Sequence, residues 1–540
     1  MRLKLNPLII CVFLFCVTAK LCGQETVDFA HDILPVLQEK CAKCHSNNVY
    51  KGGLSLEARA DLLNSGTVEI GARKESDLFE RIVSDDPDYR MPPQGARLSA
   101  TEIANIGRWI DGKLEWPESL SLKPKTYRRP LDLRRVQLPD DPQTVVAPMH
   151  HPIDQLVESY FQEHSVVHPP RLTPEQFLRR AKLDLLGQVP TPDELKQFSA
   201  QANSASAMIH SKSQLVDELL SRNREYADHW MSFWNDLLRN DYVGTGYIDG
   251  GRKQITRWLH RSLMENKPYD QFVSELINPE GESAGFIKGI KWRGRVNASQ
   301  IEPLQFSQNI SQVFLGINMK CASCHDSFID DWKLEDAYGL AAIISDEPLM
   351  MHRCDVPTGE LATSKFVFPQ LGEIDQSLPP KERLARLAEL IVSKQNGRLP
   401  RTLVNRIWHR MMGRGLVHPV DVMANEAWSE TILDFLAMDL VDHGYDLKRT
   451  FNLIATSKIY ASQSVTSESA KANVSQSFVF RGVLPKRMTA EQWVDAVWTV
   501  TDTTPVKIDA GIQLPGKPAS AKWIWSDGSA LSAPGGQVVT

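Results

Sequence analysis

A chain of 540 residues is longer than one hydrophobic core organises, and division into about three or four domains is expected. Its 42% hydrophobic and 24% charged residues exclude a disordered polymer. A net charge of −5 with no strongly basic domain argues against nucleic acid as a partner.

At the N-terminus, Arg2 and Lys4 precede an apolar run from Leu8 to Val17, followed by the small residues Ala19 and Gly23. This order predicts a signal peptide over residues 1–23, too short to span a bilayer comfortably. Cleavage after Gly23 would remove Arg2, Lys4 and Lys20 and take the net charge from −5 to −8. The expected location is the periplasm or cell envelope, with no transmembrane segment after signal cleavage. An uncleaved anchor is the alternative, and Lys20 fits poorly with lipidation of Cys22.

The cysteines sort by position. Cys11, Cys16 and Cys22 fall in the signal, Cys354 stands alone, and the other four make two pentapeptides. These are Cys41-Ala-Lys-Cys44-His45 and Cys321-Ala-Ser-Cys324-His325, each with the spacing that attaches a c-type haem through two thioethers and an axial imidazole. A chain with 8 Cys and 14 His would contain about 0.003 such pentapeptides by chance, so two copies require a common explanation.

Before the first motif, Phe29, Ile33, Leu37 and Cys41 recur every four residues, predicting a helix that delivers the pentapeptide, although Pro35 would interrupt a longer one. An electron-transfer haem needs a sixth ligand, commonly a Met thioether. Met91, in the Pro- and Gly-rich run Tyr89-Arg90-Met91-Pro92-Pro93-Gln94-Gly95, has no helical periodicity around it and suits that role better than a core-filling Met. Ser99 and Glu102 then form a capping box that opens a helix bearing Ile103, Ile106, Trp109 and Ile110. This layout over residues 25–116 is that of a small class I cytochrome c. With its Lys51-Gly52-Gly53-Leu54 and Arg90-Met91-Pro92-Pro93 segments, the stretch from Phe29 to Trp116 resembles the planctomycete cytochrome c domain. The resemblance implies His45 and Met91 as axial ligands.

Residues 117–150 are rich in proline and carry Arg128, Arg129, Arg134 and Arg135, which reads as a solvated linker rather than a dock for an acidic redox partner. Beyond it, Thr173-Pro174-Glu175-Gln176 and Thr191-Pro192-Asp193-Glu194 predict capped helices, with Gly187 ending the first. Trp230, Phe233, Trp234 and Leu237 form the apolar stripe of another helix. Val313 to Lys320 is expected to lead helically into the second motif. Around that motif, the run SQVFLGINMKCASCHDSFIDDWKLEDAYGLAAII resembles the cytochrome-like domain that follows the cytochrome c domain in planctomycete multidomain proteins. The expected domain spans 151–348. Where the family usually has a second His after Cys-His-Asp, this chain has Ser327 and Phe328.

For a second haem, Met319, Met350, Met351 and His352 are candidate sixth ligands by type alone. A five-coordinate haem, a zinc site or a Cys321–Cys324 disulfide are the alternatives. Asp326, Asp330, Asp331, Glu335 and Asp336 suit a helix start better than a cation site.

In the C-terminal third, Pro379–Lys394, Arg401–Met412 and Ser429–His443 read as helices of a domain over 380–510. Asn405-Arg406-Ile407-Trp408, Gly413-Arg414-Gly415-Leu416 and LKRTFNLIATSKIYASQS resemble the third planctomycete domain, of unknown activity. Arg406, Trp408, His409 and Arg414 line a polar pocket or satisfy helix ends. Residues 515–540, with Lys522-Trp523-Ile524-Trp525, look like the first strands of a β-sandwich.

The fold class is therefore mainly α: a class I cytochrome c-like N-terminal domain, then helical domains and a β-sandwich start. Expected cofactor-binding residues are Cys41, Cys44, His45, Met91, Cys321, Cys324 and His325, for haem c at the first motif and at the second. His45, Met91 and His325 are the expected iron ligands. The expected role is electron transfer with a redox partner protein in the envelope, and the resemblance adds a setting in polysaccharide breakdown. Rival readings are an oxidoreductase acting at the second site, and a non-redox envelope protein with zinc or disulfide sites and glycan binding. No Gly-x-Ser-x-Gly hydrolase signature is present.

Overall fold

The computed structural model describes residues 27–46, 50–116, 129–138, 151–202, 205–239, 252–288, 290, 297–327, 330–465, 478–501 and 503. The predicted signal at 1–23, most of the 117–150 segment, Phe328 and the expected strands at 515–540 lie outside these residues. The described chain is mainly helical, and its one sheet is a two-stranded antiparallel hairpin. Its described residues form two compact units, one on residues 27–116 and 330–331 and one on residues 129–327 and 332–503.

In the N-terminal unit, a helical run from Phe29 to His45 opens at Asp28, whose carboxylate accepts from the His31 amide at 2.9 Å. Contrary to expectation, Pro35 does not interrupt it. Wide π-turns at Phe29–Ile33 and Leu37–Cys41 flank the α-turn Leu34–Val36, and Pro35 sits in the first turn of that segment, where its missing N–H costs little. The closing helix Ala100–Asp111 carries both halves of the predicted capping box: Ser99 Oγ accepts from the Glu102 amide, and Glu102 Oε2 from the Ser99 amide. The two helices meet through aromatic rings, with Phe29 4.5 Å from Trp116 and 5.6 Å from Trp109 between ring centres. Ile33, Leu37, Leu56, Ile106 and Ile110 complete that core.

In the larger unit, the predicted caps at Thr173 and Thr191 start helices Pro174–Leu186 and Pro192–Gln201. Gly187 ends the first in the left-handed conformation, at φ 72°. Trp230 and Trp234 are buried on helix Asn223–Leu237, as core rather than as a cofactor wall. The two helical regions expected at 151–348 and 380–510 share one continuous core, from Ile153 to Val483. At its centre lies helix Arg398–Met412, buried over most of its circumference.

Arg406 on that helix donates to the carbonyls of Gln312 and Val313 at the end of helix Glu302–Leu315, and through Nε to Asp421 at 2.9 Å. The helix-end reading of Arg406 therefore holds, because those carbonyls have no intrahelical donors.

Among the described arginines before residue 151, Arg129 is withdrawn from solvent, whereas Arg134 and Arg135 are exposed, as the solvated-linker reading expects. Arg129 forks onto Glu430 at 2.8 and 2.9 Å, Arg134 donates to Thr431 at 2.9 Å, and Arg135 pairs with Asp442 at 3.1 Å. The acidic partner that such a cluster invites is the chain's own helix Glu430–Asp442 and its approach.

Candidate haem-attachment sites

The first pentapeptide closes the helical run, so Cys44 and His45 lie on its last α-turn and Cys41 on the π-turn before it. Ser46 Oγ donates back to the Ala42 carbonyl at 2.9 Å, and the Leu56 amide donates to the His45 carbonyl at 2.8 Å, anchoring the motif on both sides. After it, Gly52 and Gly53 turn the chain at φ 66° and 76°, a left-handed pair that side chains would strain.

Cys41 packs against the core shared by the first and last helices, and so does the half-buried Met91 from its loop. The Met91 amide donates to the Arg81 carbonyl at 2.9 Å. Tyr89 is held by Asp77 at 2.8 Å, with the Arg81 guanidinium over its ring. The predicted Met loop is thus tied to helix Asp77–Val83 rather than hanging free.

Burial pushes the Cys41 thiol up to about 12, with the neighbouring Cys44 adding to the shift. His45 is buried and its pKa is lowered by burial, against the backbone around Leu54 and Lys51. Its Nδ1 is buried without a hydrogen-bond partner. Two thiols and an imidazole on adjoining turns, a thioether on the same core and an orphaned ring nitrogen fit a covalently held haem. Cys41, Cys44, His45 and Met91 would hold it.

The second pentapeptide has the same letters in a different setting. Helix Glu302–Leu315 stops at Gly316, which is left-handed at φ 60°, so the expected helix to Lys320 ends short of the motif. Residues 321–325 form successive turns: the Ser323 amide donates to Met319, the Cys324 amide to Cys321 at 3.0 Å, and the His325 amide to Cys321 at 3.1 Å. His325 Nδ1 lies 2.7 Å from the Asp326 carbonyl, the arrangement that leaves Nε2 as the ligating nitrogen.

Of the candidate sixth ligands, Met319 is fully buried in the core. Met350 and His352 lie on the hairpin strand Met350–Arg353, where His352 Nδ1 is 3.0 Å from the Met350 carbonyl, and Met351 packs against the core. Asp326 accepts from the Leu334 amide and Asp336 from the Lys333 amide, so these acids cap helix Leu334–Ala342 as expected. Among the described residues, no group of three or more His, Cys, Asp or Glu is arranged to hold a metal ion.

Cys354 does not stand alone. It sits at the tip of the hairpin Met350–Arg353/Val356–Leu361, where its amide donates to the Cys324 carbonyl at 2.7 Å. Burial and a side-chain hydrogen bond with Cys354 push the Cys324 thiol up to about 11. Sequence spacing missed this pair because one strand is half-buried along most of its length and the other exposed throughout, so neither shows an alternating pattern.

Comparison with known families divides the chain into three matched segments. Residues 41–95, which include the first pentapeptide and Met91, match the planctomycete cytochrome C model. Residues 152–348, with the second pentapeptide, match a protein family of unknown function (DUF1549), and residues 382–524 match another (DUF1553). No curated protein and no solved structure matches the chain. In this order the three segments match the arrangement described for planctomycete multidomain proteins, with a cytochrome c domain at the head.

Proposed function

We propose that the protein is an exported electron-transfer cytochrome of the cell envelope, working at its first pentapeptide. The observation that supports this most is the convergence of Cys41 and Met91 on one core beside the buried His45. A c-type haem bound there supplies a one-electron couple. In this reading Cys41 and Cys44 would fix it through thioethers, and His45 and Met91 would supply a nitrogen and a sulfur to its iron. A Met ligand raises the reduction potential. With His45 and Met91 both given to the iron, the natural work would be outer-sphere exchange with a redox partner protein rather than bond-breaking chemistry. A setting in polysaccharide breakdown belongs to the same reading and rests on the resemblance alone.

The test is to express the mature chain with haem-maturation machinery and measure covalent haem by pyridine haemochrome, intact mass and peptide mapping. Haem on the peptide containing Cys41 and Cys44 is expected. A chain without covalent haem there overturns the reading.

A further inference from the structure

We infer that Cys324 and Cys354 are a redox-active thiol pair, whose disulfide fastens the hairpin tip to the second pentapeptide and withdraws Cys324 from thioether attachment. The inference concerns the second motif only and does not depend on haem at the first.

Three observations carry it. The first is distance. A Cys354 amide donating to the Cys324 carbonyl at 2.7 Å confines the two Cα atoms, through fixed backbone bond lengths, to within about 6.6 Å. Disulfides span about 4.4–6.8 Å between Cα atoms. The side chains point toward one another as well, since the Cys354 thiol hydrogen-bonds to that of Cys324.

The second is the conformation of the tip. Cys354 has φ 53°, a left-handed backbone that a cysteine adopts only when its surroundings impose it. They do so here: the Arg353–Val356 pairing closes the hairpin, and the Asp355 carboxylate accepts from the Ala298 amide at 2.8 Å. These contacts hold the exposed Cys354 against Cys324.

The third is the contrast between the two pentapeptides. In the first, both cysteines and the histidine lie on the last turns of a helical run, and among the described residues that unit holds no third cysteine. In the second, the motif lies on turns and one of its two sulfurs is already engaged by Cys354.

The reaction is thiol–disulfide exchange with a small disulfide oxidant. The Cys354 thiolate attacks one sulfur of the oxidant, forming a mixed disulfide and releasing one thiol. The Cys324 thiolate then attacks the Cys354 sulfur and releases the second thiol. Two S–H bonds are lost and one S–S bond is gained, with the electrons leaving on the two released thiols.

To test this, the haem-loaded full chain is equilibrated with oxidised or reduced glutathione, quenched with N-ethylmaleimide under denaturing conditions, digested and mapped by mass. In oxidised glutathione, a linked Cys324–Cys354 peptide is expected, which separates on reduction into two maleimide-labelled peptides. In reduced glutathione both thiols should label directly. Direct labelling of both after oxidation overturns the proposal, and so does haem on the peptide containing Cys321 and Cys324. The Cys354→Ser variant serves as a second arm, with Cys324 expected to gain a maleimide label under oxidising conditions. If Cys324 stays protected in that variant, Cys354 is not its partner and the proposal fails. Haem on the peptide containing Cys41 and Cys44 is scored separately, so failure of the cytochrome reading is distinguishable.

Discussion

Arg401 and Asp434 form an ion pair at 2.7 Å, with both side chains almost wholly withdrawn from solvent. The rest of the Arg401 guanidinium donates to the carbonyls of Pro130, Leu131 and Asp132 at 2.7–3.0 Å. One side chain therefore joins the segment before residue 139 to the central helix Arg398–Met412 and to helix Glu430–Asp442.

Removing one partner of such a pair strands a buried charge, which costs about 3–5 kcal/mol. Arg401→Met is expected to lower the urea midpoint of the larger unit by a corresponding amount. Arg401→Met with Asp434→Leu should recover part of that loss, since it removes a buried carboxylate that would otherwise be left with only the exposed Arg134 at 3.8 Å. A single variant as stable as the parent would show that the pair contributes nothing.

Met91→Ala should keep covalent haem, because Cys41 and Cys44 are untouched, yet lose the absorption and magnetic signature of Met-ligated low-spin iron. The reduction potential should fall, because the thioether ligand is gone. An unchanged spectrum and potential would remove Met91 from the ligand set.

Stability should fall as the solution is acidified, partly through His229. Burial, reinforced by Arg410, lowers this imidazole from 6.5 to about 4. Between those values the unfolded chain binds a proton that the folded chain refuses. Its contribution is therefore full above pH 6.5 and is lost as pH falls through about 4, an effect of about 2–3 kcal/mol. His229→Gln should flatten the fall in unfolding free energy between pH 7 and pH 4.5. Equal slopes for variant and parent would exclude His229 as the source.

Gly316→Ala should destabilise the larger unit by about 1–3 kcal/mol. The residue is left-handed at φ 60°, and an added Cβ would run into the Met423 side chain. The loss should appear as a lower urea midpoint, with the haem spectrum of the first domain unaltered. A neutral substitution would mean that the helix end relaxes freely.

Much of the helical architecture was legible in the chain because its signals are local. Ser99 with Glu102, Thr173 with Gln176, and Thr191 with Glu194 each satisfy a helix start within four residues. Pro35 misled, because proline argues against a helix interior unless widened turns flank it. The hairpin at Met350–Leu361 was invisible: Val356–Leu361 is exposed throughout and Met350–Arg353 is half-buried at three successive residues, so neither strand imprints an alternating pattern. Arg129 read as solvated because its acid, Glu430, lies about three hundred residues away in sequence.

Sequence alone determined the two pentapeptides, the Met91 loop, the mainly helical class and the order of the three family segments. These depend on residue type at short spacing, which the chain carries whatever its fold. Only the tertiary structure decided that Pro130, Leu131 and Asp132 bind Arg401, that Arg406 closes the helix leading to the second motif, and that Cys354 meets Cys324. Each of these joins distant residues, and composition and periodicity register no partner beyond a helical turn or a strand. The two motifs, alike in sequence, differ because a folded neighbourhood sets what each sulfur touches.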